Sequence, residues 1–420
     1  MPSVTLHETA AALVGSGASR AGTPDDAVDG VVPRIFVEPA TAEALAAVLD
    51  WASREKMRVL VRGGGTKLGW GRAPGEIDIL LSTARLNAVV AHRHGNLTAT
   101  IQAGATLNDV NLTLARHRQW IPLDPPLADR ATIGGIVATN DSGPRRHRYG
   151  APRDLIIGVE FARADGRLAK GGGIVVKNVA GYDLPRLFTG SFGSLGVIVT
   201  ATFKLYPLTA ASQTLIVEMP SASDLGAVAG RILSSHLTPT ALEFATHPLR
   251  MLARFESIEA SVEQQCDTAQ SLIASFGFTA RTVNGPDEHA IWEEHAKLGR
   301  TDRGALVKVS VLPTELAATI DLIDRLAGKS GYTAAGRAGS GVFLLRIFDD
   351  VQLQSRVIGG LRTSLQAGRG SAVLVQGSPE LKSSVDVWGP IGDSLSVMRA
   401  VKQQFDPGGV LNSGRGPGGL

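Results

Sequence analysis

Three stretches of this chain bring together residue types that can hold a flat, charged ligand. The first reads Val59-Leu60-Val61-Arg62-Gly63-Gly64-Gly65-Thr66-Lys67-Leu68-Gly69-Trp70-Gly71. A β-rich run empties into three adjacent glycines, with Arg62 and Lys67 as cations at the rim. Glycine lets successive backbone N–H groups turn inward into a concave nest, which suits the two negative charges of a pyrophosphate. The spacing is not that of a Rossmann turn, because the sixth place counted from Gly63 is Leu68 and no helical pattern follows. A plain hairpin loop is the competing reading, weakened by the two flanking cations.

The second stretch runs from Pro125-Pro126-Leu127 through Arg130-Ala131-Thr132-Ile133-Gly134-Gly135-Ile136-Val137-Ala138-Thr139-Asn140-Asp141-Ser142-Gly143. Thr132 can cap a very short helix whose first amides, at Gly134 and Gly135, carry no side chain to screen them from a ligand. Tight packing of small residues is the bland account of the same pattern. The third is Lys177-Asn178-Val179-Ala180-Gly181-Tyr182-Asp183, followed by a glycine-punctuated run from Phe188 through Gly190, Gly193 and Gly196 into Val197-Ile198. It sets free backbone groups side by side ahead of an alternating strand. Other candidates fall away. Gly328-Lys329-Ser330 ends like a phosphate loop, but Ile323 stands where its first glycine belongs, and Gly339-Ser340-Gly341 reads as a hairpin turn. His92-Arg93-His94 reads as a solvated loop rather than a metal pair.

The elements that must position these loops follow from periodicity. Thr41 caps a helix in which Ala42, Leu45, Val48, Leu49 and Ala52 recur at helical spacing, and residues 57–62 form the strand that feeds the first glycine loop. Strand-like runs at 77–81, 98–103, 155–162 and 197–206 alternate with short helices at 107–115 and 180–188. Beyond Pro207 the order strand, helix, strand, strand, helix, strand occurs twice, over 214–283 and 305–376, which reads as the ferredoxin-like unit doubled into one antiparallel sheet. A chance pairing of two ordinary α+β stretches is the alternative. A helix over 392–405 and a turn at Asp406-Pro407-Gly408-Gly409 lead into the tail. The expected organisation is an N-terminal segment (1–30), a ligand-binding α+β domain (31–209), a ferredoxin-like antiparallel-sheet cap (210–390), and a helix and tail (391–420) that return to the first domain.

Composition narrows the function classes. The 420 residues allow two or three domains at about 150 each. With 44% hydrophobic and 19% charged residues and a formal net charge of +3, the chain reads as neither disordered nor a binder of nucleic acid. Glycine (49) and proline (21) make up one residue in six, which implies many tight loops. The single cysteine, Cys266, excludes an internal disulfide and any cysteine-only zinc or iron–sulfur site, and fits a reducing compartment. No apolar run approaches the roughly 18 residues of a membrane helix, and the N-terminus lacks a basic segment before its weak apolar stretch. The expected location is the cytoplasm.

The order and wording of the three loops resemble the PCMH-type FAD-binding fold of the vanillyl-alcohol oxidase superfamily. Closer still is the similarity to the FAD-binding subunits of bacterial glycolate oxidase (glycolate dehydrogenase), carried by VRGGGTKLGWG, LDPPLADRATIGGIVATNDSGPRRHRYG, VVKNVAGYDLPRLFTGSFGSLGVI and FDPGGVLNSGR. It is strong over residues 33–207 and clear over 386–415. The resemblance implies a PCMH-type domain of two α+β subdomains. It implies an FAD held by Arg62, Gly63, Gly64, Gly65, Thr66, Lys67 and Gly69, by Thr132, Ile133, Gly134, Gly135, Ala138, Asn140 and Gly143, and, at its adenine and ribose, by Gly196, Val197 and Ile198. The FAD is expected to be non-covalent, since covalent members carry a His where this chain has Thr66 and a Cys in the second loop. It further implies oxidation of glycolate to glyoxylate alongside a sister flavin subunit, with electrons passed to an iron–sulfur subunit. The His-x-His metal site of hydroxy-acid-oxidising relatives has no counterpart after residue 210, and no catalytic base stands out. Arg148, Lys177 and Tyr182 are the pocket candidates, each equally readable as a structural donor. Three readings therefore stand together: a complex subunit, an autonomous FAD dehydrogenase of another 2-hydroxy acid or alcohol, and an assembly subunit that binds FAD for stability alone.

Overall fold

The computed structural model describes residues 3–174, 181–299, 303–348, 350–366, 368 and 370–420. Lys177 and Asn178 lie outside the described residues. The chain is α+β throughout and divides into two compact units, residues 1–142 with 151–208 and 390–420, and residues 143–150 with 209–389.

The first unit contains two principal sheets. In the smaller, strands Ile35–Val37, Ile79–Ser82 and Val59–Arg62 lie parallel, with Ser19–Ala21 antiparallel at the edge. Thr41 accepts a hydrogen bond from the Ala44 N–H at 3.1 Å, and the helix Ala42–Arg54 buries Leu45, Val48, Leu49 and Ala52 in the core of this half. Burial of that stripe, rather than helix propensity alone, holds the Val59–Arg62 strand in place beneath it. The second sheet is antiparallel, in the order Val89–Arg93, Thr98–Gln102, Val197–Lys204, Ile156–Ala162, Leu168–Gly172. Its Ile101, Phe161, Ala201 and Phe203 pack with Ile133, Ile136 and Val137 of the short helix Ile133–Thr139. Each glycine loop therefore begins or ends on a buried element.

The expected strands of this unit form with ends shifted by one or two residues, and two helices are shorter than their sequence patterns. The expected helix over 180–188 forms only as Leu184–Phe188, because Asp183 caps it, accepting from Arg186 N–H at 3.2 Å, while Gly181 takes φ +83°. The C-terminal helix starts at Ser394 rather than 392, since Gly392 has φ +64°.

The second unit holds one eight-stranded antiparallel sheet. Its order is Arg281–Asn284, Ala211–Glu218, Arg250–Ser257, Ala241–Ala245, Tyr332–Arg337, Val342–Ile347, Ala305–Val311, Gly370–Gln376. Each half places its four strands in the order 4-1-3-2, the ferredoxin-like arrangement, and the halves join where Glu243 lies opposite Arg337. Helices Ala222–Leu233, Glu259–Ala274, Leu316–Ala327 and Val351–Ser364 share one core with Leu242, Phe244, Phe255, Phe343 and Leu345. The other face of the first half is met by a helix with no counterpart in the expected order, Gly285–Leu298, through Trp292. Among the described residues, no helix is long and apolar enough to cross a membrane.

Candidate functional site

Residues 63–67 leave the strand Val59–Arg62 without entering any helix or sheet. The N–H groups of Gly63, Gly64, Gly65, Thr66 and Lys67 find no acceptor among the described residues, so five consecutive donors remain available, at half-buried residues except the exposed Gly65. Gly65 has φ +73°, a conformation that costs a side-chain-bearing residue strain. Gly63 and Gly64 are required for a different reason. A Cβ at Gly63 would stand 2.2 Å from the Thr132 hydroxyl oxygen, and one at Gly64 would stand 1.7 Å from the Arg130 carbonyl oxygen. Backbone contact between the first and second loops thus depends on both.

In the second loop the helix Ile133–Thr139 follows Thr132, but the Thr132 hydroxyl makes no capping bond. Turned toward Gly63, it is buried without a partner among the described residues. Two of the amides expected to face a ligand are used internally. Ile133 N–H donates to Ala105 O at 2.9 Å and Gly134 N–H to Ala103 O at 2.8 Å, leaving the Gly135 N–H without an acceptor among the described residues. The third loop is laced to this helix by Gly190 N–H to Val137 O (2.9 Å) and Phe192 N–H to Ala138 O (2.8 Å).

All three loops line one open cleft in the first unit. Gly63, Gly64, Gly65, Thr66, Lys67, Thr132, Gly134, Gly135, Ala138, Gly196, Val197 and Ile198 line it. Five other expected contacts do not. Arg62 turns to the buried Asp26 carboxylate at 3.2 Å, where it joins Arg20, and stacks over Phe36. Ile133 is packed in the core, Asn140 takes φ +48° at the helix end, and Gly143 belongs to the second unit, where its carbonyl accepts from Arg337 Nε at 3.2 Å; Gly69 lies just off the lining. Lining residues that local sequence pattern did not single out include Trp70, Phe192, Asn412 and Arg415. The FDPGGVLNSGR wording of the tail was the available signal for the last two.

The charges of the cleft are largely compensated. Lys67 Nζ lies 3.0 Å from Asp141, both nearly buried, so the pair ties the first loop to the second. The arrangement of unpartnered amides, one orphan hydroxyl and an apolar wall can hold an anion together with a flat ring system. FAD fits such a donor set.

The remaining candidates are placed as follows. Tyr182 is 90% exposed in the first unit, and Arg148 is exposed on the short helix Arg146–Tyr149 of the second. His94 and His117 stack in parallel at 4.5 Å, and His92 bonds Gln119 at 2.9 Å; parallel rings do not converge on one ion. Among the described residues no group of three or more His, Cys, Asp or Glu side chains is placed to hold a metal. In the second unit the polar sheet face carries paired charges: Glu243 with His295 at 3.1 Å, Arg254 with Glu288 at 3.3 Å, and Glu256 with Arg145 at 2.9 Å. Burial alone would push the Glu256 carboxyl up, but Arg145 and Arg254 outweigh it and hold it below the ordinary range. Burial raises the Cys266 thiol to about 11, so it carries no thiolate at neutral pH.

Comparison with known proteins gives the family of the first unit and the fold. Residues 33–172 match the family described as FAD binding domain. The chain is 26% identical to the glycolate oxidase subunit GlcD of Bacillus subtilis strain 168, over 91% of this chain and 89% of that protein. It is 28% identical to a D-lactate dehydrogenase of Archaeoglobus fulgidus (91% and 90%) and 26% identical to a D-2-hydroxyglutarate dehydrogenase of Xanthomonas citri pv. viticola (91% and 89%). Among solved structures, p-cresol methylhydroxylase with substrate bound superposes with a TM-score of 0.74 at 15% identity, over 98% of this chain and 96% of that one. Chitooligosaccharide oxidase gives 0.70 at 15% identity, with 97% of each chain covered. The fold is thus the PCMH type.

Proposed function

We propose that this chain, an FAD-dependent oxidoreductase whose residues 33–172 form an FAD binding domain, oxidises small 2-hydroxy acids. The observation that carries the cofactor part is the run of five unpartnered amides at residues 63–67 opening into one cleft with Thr132 and Gly135. Those amides would receive the pyrophosphate, the Thr132 hydroxyl and Gly135 N–H the flavin edge, and residues 196–198 the adenine and ribose. The cofactor is held without a covalent bond: Thr66 offers only a hydroxyl, which accepts from Lys67 Nζ at 3.2 Å, and Cys266 is buried in a helix of the other unit.

FAD, when bound, supplies an acceptor for two electrons. A 2-hydroxy acid loses two electrons and two protons as it becomes the 2-oxo acid, and the relatives named for glycolate, D-lactate and D-2-hydroxyglutarate share that functional group. With one cysteine, the chain cannot ligate an iron–sulfur cluster by itself, so electrons leave to an external acceptor. The subunit designation of the GlcD relatives supports assembly with further subunits and glycolate as the substrate; in this reading the further subunits are a sister flavin subunit and an iron–sulfur subunit that takes the electrons onward. The D-lactate dehydrogenase relative, matched over nine-tenths of both chains, supports D-lactate as an alternative substrate, which goes with the second reading of a dehydrogenase of another 2-hydroxy acid.

Anaerobic mixing of the purified FAD-loaded chain with glycolate, D-lactate and D-2-hydroxyglutarate tests the proposal by bleaching of the flavin absorbance. Bleaching by at least one of them, alone or once partner subunits are added, is the expected result. Where a partner supplies proton transfer, its addition should accelerate bleaching by about 10²–10⁴-fold. Flavin that stays oxidised with all three acids under both conditions would refute hydroxy-acid oxidation.

A further inference from the structure

The tail of the chain, residues 390–420, belongs to the same unit as the cleft. Its course is set by a buried ion pair at the end of the helix Ser394–Phe405. Lys402 Nζ meets Asp406 at 2.5 Å and also donates to Ser194 O (2.8 Å) and Leu411 O (2.9 Å), while Asp406 accepts from the N–H groups of Val410 (2.9 Å) and Leu411 (2.8 Å). The chain leaves this knot alongside the strand that feeds the first glycine loop. Val59 N–H donates to Val410 O at 2.8 Å, and Asn412 N–H donates to Val59 O at 2.9 Å. The Asn412 carboxamide then bridges two loops, its Oδ1 accepting from Val61 N–H at 3.2 Å and its Nδ2 donating to Phe192 O.

Three residues on, Arg415 is 9% exposed, and its guanidinium spans three alternate carbonyls of the first loop. Nη2 donates to Leu68 O and to Trp70 O (2.8 Å), and Nε donates to Arg72 O (3.0 Å), while Arg415 O accepts from Arg72 N–H at 3.1 Å. Lys67 also ties the loop to Asp141, but bonds from its own backbone are few among the described residues. Over residues 63–72 its backbone bonds to itself are Leu68 N–H to Gly65 O at 3.4 Å and Trp70 N–H to Lys67 O at 3.1 Å. A glycine-rich segment whose N–H groups must stay unpaired for a ligand cannot be held by those N–H groups; it has to be held by its carbonyls or from outside. A planar guanidinium with its donors in a fixed fork suits that task, and an ammonium, reaching as a single point, does not.

We propose that the C-terminal tail is the fourth wall of the cofactor site. Arg415 is the positioning residue that fixes residues 68–72 and so keeps the amides of 63–67 convergent, while Asn412 pins the strand beneath them. Both side chains line the cleft. The proposal rests on the reading of that cleft as the FAD site. It makes FAD affinity depend on side chains about 350 positions away in sequence from the loop.

The test uses the full-length chain, freed of FAD, as wild type and as Arg415→Met, Arg415→Lys and Asn412→Ala. FAD affinity is measured by quenching of flavin fluorescence, and amide exchange by mass spectrometry in the absence of FAD. Arg415→Met should weaken FAD about 10- to 100-fold, the worth of hydrogen bonds from a charged donor. Exchange over 63–72 should accelerate while the sheet of the second unit keeps wild-type protection. Arg415→Lys should restore only a minor part of the affinity. Should Arg415→Met fail to fold, Asn412→Ala must still weaken FAD and accelerate exchange over 59–63. Unchanged exchange over 63–72 in a folded Arg415 variant, or wild-type FAD affinity in both Asn412→Ala and Arg415→Lys, overturns the tail's role. A wild-type chain that takes up no FAD overturns the cofactor reading, whatever the exchange shows.

Discussion

Asp26, 3% exposed, collects an unusual number of donors for one carboxylate. Arg20 lies 2.5 Å away and Arg62 3.2 Å away, and the Thr23 hydroxyl and N–H add bonds of 3.0 and 3.1 Å. The Arg20 hydrogen bond dominates, outweighing burial, and the carboxyl is held well below the ordinary carboxylate range. Because the folded pKa lies beneath the unfolded value of about 3.9, the pair stabilises the fold above that pH and the contribution is lost as pH falls toward the folded value. Asp26→Asn should therefore melt at a lower temperature than wild type at pH 7, and the gap should narrow in melts taken below about pH 4. A gap that stays constant down to pH 3 would show that the carboxylate's charge contributes nothing. The same network explains why Arg62 is unavailable to a ligand. Its partner sits 36 positions upstream in a segment without sustained periodicity, so local pattern offered no warning.

At the scale of elements, the segments legible beforehand are those whose own apolar spacing buries them. The Thr41-capped helix shows this with Leu45, Val48 and Leu49, and the Thr132-led helix with Ile133, Ile136 and Val137. Poorly legible were elements fixed by distant partners: the helix Gly285–Leu298, whose Trp292 donates to Thr214 Oγ1 across 78 positions, and the wall formed by Asn412 and Arg415. In the cleft, glycine spacing announced the loops but not how they are joined. Lys67 and Asp141 make that joint in a nearly dry setting. Removing either alone strands a buried charge, so Lys67→Met or Asp141→Leu should cost about 3–5 kcal/mol in denaturant melts. The double variant should cost far less than the sum, since apolar replacement of a buried pair is often close to neutral. Additive losses would mean that the two charges do not stabilise one another.

At the scale of the whole molecule, every lining residue of the cleft belongs to the first unit, although it is assembled from segments near both ends of the chain. The second unit contributes a doubled ferredoxin-like sheet whose polar face pairs its buried acids internally. Residues 33–172 match an FAD binding domain, and a single cysteine cannot ligate an iron–sulfur cluster by itself. Underlying all of this is the claim that FAD is held by the unpaired loop amides and by no covalent bond. Precipitating the purified protein with acid and assaying flavin in pellet and supernatant tests that claim most directly. The account predicts about one FAD per chain, all of it in the supernatant. Flavin that remains with the pelleted polypeptide, or native protein that neither carries nor takes up FAD, would contradict it.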